Sequence, residues 1–404
     1  MRLFKILSCF IICLFVSCDS LVVENEHHKP YLLVVSLDGF RWDYQDLYNT
    51  PFLDSIEKVG AKAKSLQPSF PSKTFPNHYS IATGLYPDHH GLVANSFYSK
   101  KYADFYKVRD REKVQDGNYY GGEPIWVTVE KNGIKSASYF WVGTEADVQG
   151  IRPTYWKQYD SAIGYSARID SVVSWLNLPY NQRPHLCMLY FDEPDGVGHN
   201  YGPESDSTRI MVNRLDAYLS ELTNKINDIG IKDSIDIIIL SDHGMGAIND
   251  ERKVVINQII DTAQVNYITG SNPFYLLDAK EPFIKKIKNE LNCIPGIQAW
   301  EKDSVPDYLH YGTNKNIASL IVVADSAYSI VADPTDMVIG GTHGYDPTNK
   351  DMHGIFYAFG PSFKNGYASE TFENIQIYEL MCHILGVRAV DNDGDLKVTE
   401  DLLK

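Results

Sequence analysis

A chain of 404 residues, 44% hydrophobic and 12% aromatic, has enough apolar material for one large α/β domain or two average ones, which excludes a disordered or fibrous protein. Its formal charge of −15 argues against a protein that grips a nucleic-acid duplex by its phosphates, and a small anionic substrate would need local positive charge. Bound divalent cations are the obvious source, because an ion dominates the field of its own site.

Residues 1–17 hold Arg2 and Lys5 and then an apolar run over 6–16, too short to span a bilayer as a mature helix, and read as a signal peptide. Phe15-Val16-Ser17-Cys18 resembles the lipobox of bacterial lipoproteins, in which the cysteine becomes the lipidated first residue; an ordinary signal peptide with an incidental cysteine is the alternative. Residues 18–29 are polar and form a flexible tether in the first case. Export is expected on both readings, and lipidated Cys18 would make the protein a periplasmic or outer-membrane-anchored lipoprotein tethered to the membrane. In the body of the chain, Cys187 and Cys382 sit in apolar runs and are expected to be buried thiols rather than halves of a disulfide.

The first core element is a strand over Tyr31–Leu37, an apolar run ending at Asp38. Helices are expected at about 50–59, 77–83 and 167–176. A second apolar strand, Leu186–Phe191, runs into Asp192-Glu193-Pro194-Asp195. The spacing of Ile210, Val212, Leu215, Leu219, Leu222 and Ile226 predicts a long helix over 207–229, and the third strand, 237–240, stops just short of Asp242-His243-Gly244. Residues from about 254 to 331 read as a small α+β insertion, with short apolar runs at 274–277 and 317–323 around one helix at 281–291. The chain returns to the core with Gly340-Gly341-Thr342-His343-Gly344 and a strand over 355–359. Alternating strands and helices predict an α/β fold with a central, mostly parallel sheet flanked by helices, and a single catalytic domain over 30–404. Ligands in such folds bind beyond the carboxyl ends of the strands, where three strands here deliver acids.

Asp195 and His199 stand four apart in a segment with Pro194, Gly196 and Gly198, read as a loop able to turn both toward one ion. Asp242 and His243 are adjacent, and sharing an ion requires a sharp backbone turn that Gly244 permits. His343 lies in a similar glycine-rich loop. Oxygen and imidazole donors without thiolates suit zinc, with manganese or iron as poorer alternatives. Thr74, just before a helix start, is a nucleophile candidate or a helix cap.

These residues, with Lys73-Thr74-Phe75-Pro76-Asn77-His78, Gly91-Leu92-Val93-Ala94-Asn95-Ser96, Glu123-Pro124-Ile125-Trp126 and Gly341-Thr342-His343-Gly344-Tyr345-Asp346, resemble the ectonucleotide pyrophosphatase/phosphodiesterase family of the alkaline phosphatase superfamily. The resemblance implies an alkaline-phosphatase-like core and two Zn2+ per chain. One ion would be held by Asp38, Thr74, Asp242 and His243, the other by Asp195, His199 and His343. It further implies that Thr74 attacks phosphorus to give a covalent phosphothreonine, with the Thr74 backbone N–H and the Asn95 amide holding a non-bridging oxygen. Asn95 could instead be a turn residue, and Lys73 a structural one.

Relatives selective for phosphate monoesters, as the resemblance implies, add a Lys and an Arg; Ser138–Thr144 here is aromatic and uncharged, which favours diesters and pyrophosphates. A base-stacking slot is implied between Phe75 and Tyr159, with Tyr190 nearby or simply a core aromatic, while Leu92, Trp126 and Trp141 are expected mainly to fill the core. The expected reaction is zinc-dependent hydrolysis of nucleotide phosphodiester or pyrophosphate bonds, releasing nucleoside 5'-monophosphates, with lipid head groups or phosphonate esters as the alternative substrates. The expected partner is a small nucleotide, with no nucleic-acid duplex, and the expected state is a monomer. Asp391-Asn392-Asp393-Gly394-Asp395 resembles a calcium loop but is expected to be a surface turn, and His89-His90 is expected to bind no metal.

Overall fold

A computed structural model describes residues 30–404; the leader, Cys18 and the tether up to residue 29 lie outside the described residues. At its centre are eight strands in the order Tyr367–Ser369, Ala61–Ala63, Phe356–Phe359, Ile235–Leu240, Tyr31–Leu37, Leu186–Phe191, Ser136–Tyr139, Tyr155–Lys157. Every pairing is parallel except the two made by Phe356–Phe359. Val34 lies level with both Met188 and Ile238, so the three apolar strands run side by side and finish on the same edge.

Their unbroken apolar sequences follow from burial on both faces. Leu32 and Val34 join one core with Met188 and Ile238; Leu33 and Val35 join the other with Leu189 and Ile239. The first core is closed by helices Thr74–Thr83 and Gln376–Leu385, the second by Tyr165–Leu176 and Asp206–Asp228. Each large side chain so enclosed contributes roughly 1.5–3 kcal/mol. Cys187 and Cys382 are buried free thiols within these cores.

The long helix follows its predicted period, with one exception. Val212, Leu215, Leu219, Leu222 and Ile226 are buried, but Ile210 is 47% exposed, because two residues are more than half a turn and carry it off the stripe set by Val212. A second departure matters more for function: the glycine-containing segment after Pro194 is not a loop but the helix Asp195–Tyr201. It is short and draws its hold from the sheet edge rather than from helix propensity.

Residues 253–331 leave the core and come back to it on paired strands, Lys253–Val255 running parallel to Ser329–Val331. Between them lie a four-stranded antiparallel sheet and the helix Ile284–Asn292; one face of the sheet, with Leu277 and Val322, packs on that helix in a third core, and the other, with Leu276 and Val323, joins the first core. No helix among the described residues is long and apolar enough to cross a membrane.

Candidate active site

Asp38 follows the last residue of its strand, and Asp242 and His243 follow the neighbouring one. Asp195, at the start of its helix, donates its backbone N–H to the Asp38 carbonyl at 3.0 Å, which ties two acids from different strands together. That approach requires Gly39: its φ is +69°, and a Cβ there would lie 3.0 Å from the Asp195 Cα. Gly244 is required for a different reason from the turn expected of it. A Cβ would come within 2.2 Å of the Asp351 carbonyl oxygen, so close packing excludes a side chain. His343 arrives because Gly341–Thr342 pairs antiparallel with Gly246–Ala247, just beyond His243, and the two imidazoles stack with centroids 3.5 Å apart.

All seven residues expected to bind metal are brought together. His243 Nε2 lies 3.1 Å from Asp242 Oδ2, 3.2 Å from Thr74 Oγ1 and 3.3 Å from Asp38 Oδ1. Asp195 Oδ1 lies 3.4 Å from Nε2 of both His199 and His343. Donors bonded tetrahedrally to one zinc ion would stand roughly 3.3–3.6 Å apart, given zinc–oxygen and zinc–nitrogen bonds of 2.0–2.2 Å.

The hydrogen bonds show that these contacts are not self-sufficient. Nδ1 of His243, His199 and His343 is bonded to the backbone carbonyls of Gly244, Gly341 and Ser72 at 2.9, 2.9 and 2.7 Å, which places the proton on Nδ1 and a lone pair on Nε2. Those lone pairs face carboxylate oxygens, and Asp38 Oδ1, Asp195 Oδ1 and Asp242 Oδ2 are buried without a hydrogen-bond partner. Burial raises the pKa of Asp38 and Asp242, and neighbouring carboxylates raise them further; burial lowers that of His243 and His343. Acceptors converging on acceptors fit a divalent cation in each group.

Thr74 is the first residue of its helix rather than lying ahead of it, so the helix begins three residues before the predicted start. Asn95 Oδ1 accepts the Phe75 backbone N–H at 3.0 Å, which holds the Asn95 amide beside the start of the helix. Lys73 is buried, not on the surface; its Nζ donates to the Asn272 carbonyl at 2.7 Å, and burial lowers its pKa to about 7.

Sequence reasoning missed His78. Its Nδ1 bonds the Thr74 carbonyl at 3.0 Å and lies 3.1 Å from Asp242 Oδ2, while Nε2 meets the Ser36 hydroxyl at 2.8 Å. A histidine four residues into a helix, with no metal-like spacing, gives no sequence signal for such a role.

Two cavities open beside Thr74. Phe75, Tyr159 and Tyr190 line the first with Phe140 and Trp141, while Leu92 and Trp126 are wholly buried in the core. The Tyr190 hydroxyl donates to Asp38 Oδ2 at 2.5 Å. The paired side chains of Arg111 and Glu145 add a polar patch to this cavity that the sequence did not announce. The second cavity is a wider cleft containing Thr74, Asn95, Asp195, His199 and His343. Neither the segment 391–395 nor His89-His90 joins the site. Asp393 accepts from the Tyr86 N–H and from His89, Asn392 bonds Glu379, and His90 is buried against Ser80.

Comparison with known proteins places this geometry. The family described as type I phosphodiesterase / nucleotide pyrophosphatase matches residues 32–346. Human ectonucleotide pyrophosphatase/phosphodiesterase family member 1 is 34% identical over 388 residues, 93% of this chain but only 42% of its own length, so the chain spans less than half of that relative. Mouse bis(5'-adenosyl)-triphosphatase enpp4 is 34% identical over 94% of this chain and 83% of its own. Murine ectonucleotide pyrophosphatase/phosphodiesterase 5, solved in an inactive form in complex with AMP, superposes with a TM-score of 0.89 at 28% identity, covering 93% of this chain and all of that one. The fold is thus the expected alkaline-phosphatase-like α/β arrangement. Since every residue of the acid and imidazole cluster falls inside the matched span, the chain belongs to the type I phosphodiesterase / nucleotide pyrophosphatase family.

Proposed function

We propose that the protein is a zinc-dependent hydrolase of nucleotide phosphodiester or pyrophosphate bonds that releases nucleoside 5'-monophosphates through a phosphothreonine intermediate. One observation carries this reading: the Thr74 hydroxyl stands at the meeting point of the acid and imidazole cluster, with an aromatic cavity on one side and an open cleft on the other. Bound divalent ions would supply the positive charge that lowers the pKa of a hydroxyl and neutralises phosphoryl oxygens. Within that field, Thr74 Oγ1 attacks phosphorus and the leaving oxygen departs toward the cleft; attack by water then frees the threonine. The Asn95 amide, held through its oxygen by the Phe75 N–H, is free to donate to a non-bridging oxygen as charge shifts there. Phe75, Tyr159 and Tyr190 supply faces on which a base can stack, and the AMP bound to the similar solved protein supports a nucleotide as the occupant.

The test is hydrolysis of the p-nitrophenyl ester of thymidine 5'-monophosphate against p-nitrophenyl phosphate, before and after chelation and zinc addition. Preference for the diester, lost with chelator and restored by zinc, is expected; preference for the monoester would overturn the reading. Met337, 78% exposed, and Ile339, 58% exposed, line the cleft and favour the second reading, hydrolysis of lipid head groups, which inactivity on both esters would bring forward. Export completes the proposal, supported by relatives whose names place them outside the cell or in venom, and anchoring through a lipidated Cys18 rests on the sequence of residues 15–18 alone.

A further inference from the structure

We propose that Lys107 and Arg109 form a subsite for the leaving group, and that the enzyme selects nucleotides whose leaving group is itself a phosphate or polyphosphate over those that release an uncharged or aryl alcohol. This rests on the reading of the site given above and names the substrate class more narrowly.

The two cavities divide the substrate. Val108 lines both, while Phe75 belongs to the aromatic cavity and Lys73 and Thr74 to the cleft. With the base in the first, the bond that breaks points into the second, where Asp195, His199 and His343 lie. That cleft measures about 810 Å³, far more than a single leaving oxygen needs. On its wall, either side of Val108, stand Lys107 and Arg109. Both are exposed, and among the described residues neither forms an ion pair. Most other cations near the site are committed: Arg41 to Asp43 and Glu204, Arg111 to Glu145, Arg168 to Asp192.

Their placement is fixed by backbone hydrogen bonds to the reaction centre. The Val108 N–H donates to the Asn95 carbonyl at 3.1 Å, and Ser96 pairs with Lys107 across the hairpin formed by Ser96–Ser99 and Asp104–Lys107. The residue positioned to hold the phosphoryl oxygen therefore also holds the segment carrying both cations. In a chain of net charge −15, two cations without an ion pair, Lys107 resting over the Phe105 ring at 5.9 Å, are a local reversal of the overall field on the wall of an anion's exit path. Charge-assisted bonds to phosphate oxygens are what these side chains do well, and arginine can engage two oxygens at once.

The experiment compares thymidine 5'-triphosphate with the p-nitrophenyl ester of thymidine 5'-monophosphate, which share base, sugar and α-phosphorus and differ only in the leaving group. In the zinc-loaded K107Q/R109Q protein, the ratio of kcat/KM for the triphosphate to that for the ester should fall roughly five- to tenfold or more from the wild-type ratio. Competitive inhibition by inorganic pyrophosphate should weaken by a similar factor while inhibition by thymidine 5'-monophosphate does not. Added salt should lower the ratio in the wild type more steeply than in the variant. An unchanged ratio, or equal losses on both substrates with pyrophosphate inhibition intact, overturns the subsite. A wild type inactive on both thymidine substrates would instead defeat the parent reading, so the two failures are distinguishable.

Discussion

Tyr190 serves two places with one side chain: its ring lines the aromatic cavity and its hydroxyl donates to Asp38. Tyr190→Phe keeps the ring and removes the donor, so zinc affinity should fall about 10- to 100-fold, the usual cost of losing a group that orients a ligand, with little change in KM at saturating zinc. Titration of zinc against activity and by calorimetry checks this. Phe75→Ala should do the reverse, raising KM for nucleotide esters by the roughly 1–3 kcal/mol of one stacking face and leaving zinc binding alone. Thr74→Ala, folded and zinc-loaded, should lose at least about a thousandfold in diester turnover; wild-type turnover in that variant would end the covalent proposal. The seven residues expected to bind metal were legible through the motifs that resemble the family, since singly each acid, histidine or threonine has an ordinary structural use and only their joint arrangement points to an ion. His78 and Glu145 were not, since a histidine inside a helix and an acid in a turn have many ordinary uses, and only the fold shows that one touches Thr74 and Asp242 and the other faces the aromatic cavity.

Elements are where sequence and structure part most often, and the reasons are tertiary. The Asp195–Tyr201 helix contains two glycines in seven residues and would not form alone; it exists because Asp195 is hydrogen-bonded to the neighbouring strand end, and it sets His199 one turn from Asp195 on the same face. The strand Ala61–Ala63 is three residues long and leaves no periodic signal, yet it extends the central sheet. A similar dependence fixes the helix Pro51–Val59, whose N-cap Thr50 makes no side-chain cap bond. The cap comes from Asp216, far along the chain, whose carboxylate accepts the N–H groups of Phe52 and Leu53 at 3.0 and 2.9 Å. Asp216→Ala should therefore lower unfolding free energy by roughly 1–2 kcal/mol in urea titration while leaving kcat on the thymidine ester within about twofold, because the bond fastens a helix to the face of the sheet and touches no site residue. An unchanged midpoint would mean that water caps the helix equally well.

At the scale of the whole molecule, the site gathers groups that oppose one another, an opposition that the proposed ions would relieve. Three buried carboxylate oxygens lack hydrogen bonds, imidazole lone pairs face them, and the sheet edge, the Thr74 helix and the His343 strand all converge there. Carboxylates raised by burial and by one another make the ion-free cluster costly to keep charged. Zinc that binds only the folded state should stabilise it by about 4 kcal/mol at a thousandfold excess over Kd, so chelation should lower Tm by several degrees and zinc should restore it. Asp242→Asn separates this account from a general loss of stability. Replacing one of the opposed charges by a neutral amide should raise the Tm of the ion-free protein, since the repulsion is relieved, yet abolish most of the zinc-dependent increase, since a ligand is lost. Calorimetric scans of both proteins with and without zinc decide it: a variant less stable than wild type in the absence of metal would mean that Asp242 holds the strand ends together by itself, and that the cluster is structural before it is catalytic.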